Sequence, residues 1–298
     1  MGLRKLKKKI KDKRNSDFFL WRHFFILKDS IWFNKIIQSV QYIINLPKSI
    51  FLYFLLFFKK QSKDKIEERK ERVVAIVLSW KRCANLPLVV YGLKKQSFID
   101  DIVIVHNKPS WLRVPGCKNI FNEENLGCVV RHQIAAEMNG YDYFVFSDDD
   151  LMLKQDCSEE VLSVMRKFGQ ESVIGFFGYE LNIDEPKTAY TSGKYKFAYK
   201  NTVPIDLIKG RFHIISKKGI EEITNSNLDT PALMSEDDLR ANIALQRKFK
   251  KPSYLIPIKH KISDLPAFFA LENRKKHLSI RDEAIRDGLE RGWGNIIK

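Results

Sequence analysis

Three consecutive carboxylates, Asp148-Asp149-Asp150, follow the apolar run Phe144-Val-Phe146. At the end of a buried strand they repel one another unless a cation neutralises them. Hard oxygen ligands suit Mg²⁺ or Mn²⁺, and such ions keep open positions for phosphate oxygens. The alternative is an acidic turn that caps the next helix. A second acidic group, Ser235-Glu236-Asp237-Asp238, opens a segment with helical character over 236–247. An N-cap at Ser235 with an acidic first turn accounts for that pattern on its own. His277 and Arg281 stand in a late basic stretch, 271–281, which reads equally as a solvated helix face.

Other chemistries lack their residues. There is no G-x-G-x-x-G after the first apolar run and no G-x-x-x-x-G-K-[ST], which excludes the common dinucleotide and P-loop sites. No H-E-x-x-H or G-x-S-x-G occurs, so zinc proteases and α/β-hydrolases are excluded too. The 4 cysteines form no C-x-x-C pair, which fits a reducing compartment.

The elements that would position the carboxylates begin at Val73. Val73–Leu78, Asp101–His106 and Tyr141–Phe146 are short apolar runs, as expected of strands buried on both faces. A short strand is expected over 119–121, and helices over 86–95 and 127–138. Strands alternating with helices imply a mostly parallel α/β sheet with right-handed crossovers. Ligands sit beyond the carboxyl ends of such strands. The residues to read are therefore Ser79 to Arg82, Asn107, and Ser147 to Asp150.

The order of these parts is specific. Val74-Ala-Ile-Val-Leu-Ser-Trp-Lys-Arg82 with Leu86 comes first, then Gln96 before the second strand. Asn125-Leu-Gly127-Cys-Val-Val-Arg131 and Ser147-Asp-Asp-Asp150 follow. The layout resembles the nucleotide-sugar-binding half of GT-A fold glycosyltransferases, of the family-2-like and exostosin-like kinds, over about residues 72–285. The resemblance implies a Rossmann-like, mostly parallel sheet flanked by helices. It also implies a nucleotide-sugar donor, a glycan or lipid-linked acceptor, and Mn²⁺ or Mg²⁺.

Under that resemblance Asp148, Asp150 and His277 would hold the metal. Ser79, Arg82, Asn107, Asn125, Arg131, Asp148 and Asp149 would bind the donor, and Arg281 its diphosphate. Glu236 and Asp237 would lie under the acceptor, with Asp237 as the base if the reaction inverts. A carboxylate at a helix N-terminus is oriented by free N–H groups, which suits that task. Gly210 to Ile215 resembles the acceptor-side strand, and 180–203 is expected to be an acceptor-side loop. Trp80-Lys81 departs from the small or polar residues of many relatives. A sugar nucleotidyltransferase of the same fold would want a glycine-rich loop over 79–87, which holds no glycine.

The N-terminal quarter differs in kind. Residues 1–72 hold 19 Lys/Arg against 7 Asp/Glu, a net of +12 out of +16 for the chain. Aromatic and aliphatic clusters interleave with that charge, and an apolar run over 49–58 ends at Lys59-Lys60. The run is short for a bilayer, which needs about 20 apolar residues, and Pro47 and Lys48 interrupt a backward extension. Residues 1–60 are therefore expected as helices in a membrane interface, at a cytoplasmic face, with 61–72 a polar linker and 73–298 the catalytic domain. The alternatives are a helical subdomain packed on the main domain, or RNA binding by the basic run. A non-catalytic membrane or nucleic-acid binding module would need neither acidic group. No nucleic-acid partner is expected, because positive charge does not spread into the main domain. A signal peptide is disfavoured by the late apolar run, and Leu6 breaks the myristoylation pattern.

Overall fold

The computed structural model describes residues 31–58, 70–198, 200–257, 261–267 and 277–294, with side chains from 35 onward. The basic run before residue 31 and the linker segment 59–69 lie outside the described residues.

The helices are α1 (Ile31–Phe58), α2 (Leu86–Lys94), α3 (Val130–Glu137), α4 (Ser158–Phe168), α5 (Lys217–Thr224), α6 (Pro231–Ser235), α7 (Asp237–Phe249) and α8 (His277–Glu290). The first strands are β1 (Val73–Ser79), β2 (Asp101–Asn107), β3 (Lys118–Asn122), β4 (Tyr143–Asp148) and β5 (Leu151–Leu153). Next are β6 (Ile174–Gly175), β7 (Gly178–Glu180), β8 (Lys194–Lys196), β9 (Val203–Ile205) and β10 (Leu207–Ile208). Last come β11 (Phe212–Ser216), β12 (Ser253–Leu255) and β13 (Ile262–Asp264).

The main sheet has 8 strands in the order β3-β2-β1-β4-β11-β6-β12-β9. β3, β2, β1 and β4 are parallel neighbours. β11 runs antiparallel against β4, so the start of β11 lies beside the end of β4. Two smaller sheets, β10-β7-β8 and β13-β5, flank it. The continuous apolar runs have a direct cause. Val73, Ala75 and Val77 of β1 enter the core under α1, α2 and α4, while Val74 and Ile76 enter the core under α3, α5, α7 and α8. Both faces are covered, so there is no polar face to alternate with.

Several boundaries differ from expectation. β4 reaches Asp148, so the first carboxylate belongs to the strand. α3 starts at Val130 rather than residue 127, because Gly127 is spent in a turn at φ +75°. There the Gly127 N–H donates to the Asn125 side chain. Ser235 is not the N-cap of α7. It ends α6, and its hydroxyl donates to the Ala232 carbonyl, leaving Glu236 at the cap position.

α1 corrects the expected break at Pro47, because the helix continues through it. The Ser49 hydroxyl donates to the Ala84 carbonyl, and Leu52 and Leu56 are buried, fixing this half of α1 on the turn at 83–85 and on α2. The opposite stripe stays open: Ile43, Phe51, Phe57 and Phe58 are all exposed. Residues 35–58 are long and apolar enough to cross a membrane by length and composition.

Candidate active site

The carboxyl ends of β1, β2 and β4 converge with the amino end of α7. Asp149, fully buried, points back under β1: it accepts from the Trp80 N–H at 3.1 Å and from Arg82 Nε at 2.6 Å. Its backbone carbonyl is held by the Asn85 amide at 2.9 Å. Arg82 Nη1 continues to Asp150 Oδ2 at 2.9 Å, and Arg211 Nη2 reaches Asp150 Oδ1 at 3.4 Å and Asp264 Oδ1 at 2.7 Å. Asp148 is the most open of the three, with its side chain 28% exposed. Arg131 Nη1 donates to Asp148 Oδ1 at 3.0 Å.

Arg131 ties the two acidic groups together. Its Nε donates to Asp237 Oδ2, and its Nη2 to the Gly210 carbonyl at 3.3 Å. A side chain at position 210 would place Cβ 3.1 Å from Arg131 Nη2, so glycine keeps that approach open. The Gly210 N–H donates to Asp238 Oδ2 at 2.9 Å. Arg281, on α8, pairs with Glu236 and, at 2.8 Å, with Asp238. His277 Nδ1 lies 3.2 Å from Glu236 Oε1.

Electrostatics separate the carboxylates. Burial pushes the Asp148 carboxyl up to about 6; the Asp150 charge adds to this, and Arg131 and Arg82 oppose it. Burial also raises Asp149, against Arg82. For Asp237, burial is outweighed by the Arg131 ion pair, which holds it well below the usual carboxylate range. Arg281 does the same for Asp238. Asp237 is thus ionised and tightly held.

Seven carboxylates, those of 148–150, 236–238 and Asp264, meet the four guanidiniums of Arg82, Arg131, Arg211 and Arg281. The negative surplus is what a cation would reduce. With Asp148 partly open, the donor set fits a hard metal ion.

Several expected site residues take other roles here. Asn107 is buried, and its amide donates to Asn125 and to the Gly127 carbonyl, both at 3.0 Å, while its oxygen accepts from Asn122 at 2.8 Å. Asn107 and Asn125 thus shape the loop 122–127 rather than presenting free groups to a base or ribose. Ser79 is buried against the Ser110 hydroxyl at 2.7 Å. Arg131 and Arg281 are 2% and 4% exposed and spent on protein carboxylates, so they organise the site instead of facing a diphosphate. His277 is placed on Glu236 rather than on the triplet's ion pairs. Arg211 and Asp238 were not singled out from the sequence. Asp238 adjoins the pair that was, whereas Arg211 depends on the antiparallel return of β11, which no local pattern announces.

Behind Asp237 lie two buried histidines, His132 and His213. The three side chains offer ligand atoms within 4.8 Å of one another. The Arg131 guanidinium on Asp237 opposes a cation there, so we read the rings as neutral core. Burial holds His132 down to about 3 and His213 to about 4. The unfolded rings bind protons near 6.5, the folded ones only near 3 to 4. The resulting stability is complete above 6.5 and is lost as pH falls towards 3–4, at about 1.4 kcal/mol per pH unit per ring. Urea unfolding between pH 7 and pH 5 should show this slope, with His132→Phe removing about half of it. An unchanged slope in His132→Phe would show that the acid sensitivity lies elsewhere.

No family model matches the chain, and no curated protein matches its sequence. Among solved structures it is similar to a crystal structure of GalNAc-T7 with UDP, GalNAc and Mn²⁺, at a TM-score of 0.51 and 10% identity. The match covers 69% of this chain but 45% of that one, so this chain spans less than half the length of that enzyme. At this identity the likeness carries the architecture alone: a mostly parallel α/β sheet flanked by helices, preceded by the N-terminal α1, with the GT-A fold.

Proposed function

We propose that this protein is a divalent-metal-dependent glycosyltransferase that moves a sugar from a nucleotide-sugar donor to a glycan or lipid-linked acceptor. The observation that carries the reading is the Asp148–Asp150 triplet at the carboxyl end of β4, joined through one buried arginine to Asp237 at the start of α7. The UDP and Mn²⁺ held by the structural neighbour support the same chemistry.

Asp148 and Asp150 are the residues that would hold the ion. When bound, it supplies positive charge against the charge that builds on a leaving nucleoside diphosphate. Arg82 and Arg211 orient Asp150 from two sides, and Arg131 sets Asp148 and Asp237 in a fixed relation. Asp237 takes the acceptor proton if the reaction inverts configuration; if it retains, Asp237 shields an oxocarbenium-like transition state. The exposed stripe of α1 and the N-terminal charge support placement of the enzyme on an anionic membrane surface, at the cytoplasmic face.

The deciding experiment screens nucleotide sugars for release of nucleoside diphosphate with Mn²⁺, with Mg²⁺ and with chelator. Release undiminished by chelator would refute the reading. Asp150→Asn, which removes a ligand charge, should weaken metal binding by at least about 10–100-fold, the cost of losing an outer partner of a ligand. Because the Asp148 carboxyl titrates at about 6, it is protonated below that pH and ionised above it. Metal affinity should therefore fall by up to about tenfold for each pH unit below 6 and level off above it, measured by calorimetric titration. An affinity flat from pH 5 to pH 7 would remove Asp148 from the ligand set.

A further inference from the structure

α1 and the catalytic unit enclose a half-open cleft of ≈ 1110 Å³. Ordinary small-ligand pockets hold about 300–1,000 Å³, so this one exceeds the usual range. Leu46, Ile50 and Phe54 of α1 form one wall, and Trp111 and Leu112 stand in another. The cleft also reaches Lys81 and Arg82, just beyond the end of β1. Lys81 has a left-handed backbone, φ 64°, and its ammonium lies 4.4 Å from the Trp80 ring centre. Arg82 is the residue paired with Asp149 and Asp150. The charge of Arg82 is taken up by these two aspartates, so the cleft is apolar along α1 and carries the exposed Lys81 ammonium at its end near β1.

We infer that this cleft holds the hydrocarbon chain of an amphiphilic acceptor with a phosphate head. The chain lies along α1 and the head lies at Lys81. The inference rests on the transferase reading above and names its acceptor class. Three observations favour this occupant. A free sugar would need polar partners for most of its hydroxyls, whereas Leu46, Ile50 and Phe54 of α1 offer none. The Lys81 ammonium matches a phosphate in sign. The cleft is also continuous with a helix whose open face, including Ile44 and Phe51, is exposed and apolar, and whose residues 35–58 suit a bilayer. Its mouth therefore opens where hydrocarbon chains are found.

The test uses the full chain and dodecyl phosphate carrying a diazirine at the chain terminus, kept below its micellar concentration. Photolabel is expected in 42–54 or 109–112 and should be suppressed by unlabelled dodecyl phosphate but not by inorganic phosphate. Leu46→Glu, which puts a charge in the cleft, should lower labelling by about tenfold or more. Ile50→Trp, which fills the cleft without charge, should lower it as well. Ile44→Glu, exposed on a face of α1 turned away from the cleft, should keep it. Thermal unfolding of each variant checks that the fold survives. Equal loss in Ile44→Glu and Leu46→Glu would mean that α1 merely enters lipid, and suppression by inorganic phosphate would mean an anion site with no chain cleft. Either result overturns the proposal. Metal-dependent donor hydrolysis is read on the same wild-type preparation. Hydrolysis without labelling overturns the cleft alone, whereas labelling without hydrolysis upholds the cleft and overturns the transferase reading.

Discussion

Asp237→Asn is expected to lower sugar transfer by about 10²–10⁴-fold, the range a positioned base contributes, while donor affinity stays near its starting value. The amide keeps the shape of the carboxylate and a carbonyl oxygen for Arg131 Nε, but loses the charge and the ability to accept a proton. Arg131 retains Asp148 and the Gly210 carbonyl, so the donor side is not dismantled. Because the Arg131 ion pair keeps Asp237 ionised far below neutrality, the wild-type rate–pH profile should carry no limb from this residue between pH 5 and pH 8. Turnover and donor binding, measured separately, decide the matter. If both fall in the same proportion, Asp237 acts only by holding Arg131.

Arg131→Met should be the most damaging single change to stability, at about 3–5 kcal/mol in urea unfolding. The guanidinium is buried between two carboxylates, and removing it strips Asp237 of its ion-pair partner and leaves Asp148 with only the weaker influence of Arg82. Methionine fills part of the volume, so the loss reports charge more than cavity. The double variant Arg131→Met with Asp237→Asn should regain a substantial part of that loss, because one of the orphaned charges is gone. Strict additivity of the two losses would show that they are not coupled through this ion pair.

What the sequence revealed depended on range. β1, β2 and β4 were legible to within a residue or two because burial on both faces writes a continuous apolar run into each. The place of the Asp148–Asp150 triplet followed, since it adjoins such a run. The electrostatics were not legible. Arg131 and Asp237 are 106 residues apart, and only the packing of α3 and α7 on one face of the sheet brings them together. Arg82 and Arg131 were identified as site residues but expected to face phosphate. Local pattern marks a cation near a ligand site without saying which anion holds it. Asn107 illustrates the same limit: a strand-end asparagine reads alike whether it meets a ligand or fastens a loop. α1 packs one stripe on the main domain and leaves the other exposed, an arrangement the local apolar pattern did not separate from a helix apolar on every side.

The two-sided burial of β1 also bears on which parts of the molecule open first. β1 pairs with β2 on one edge and β4 on the other, and its side chains enter both cores. Its amides should exchange with deuterium only when the whole molecule unfolds. β13 pairs only with the buried β5, is itself partly exposed and carries Asp264 at its end, so it should exchange through local opening. The three aspartates thus hang from the slowest-exchanging strands, while Arg211, which grips both Asp150 and Asp264, has one partner anchored and one free to fray.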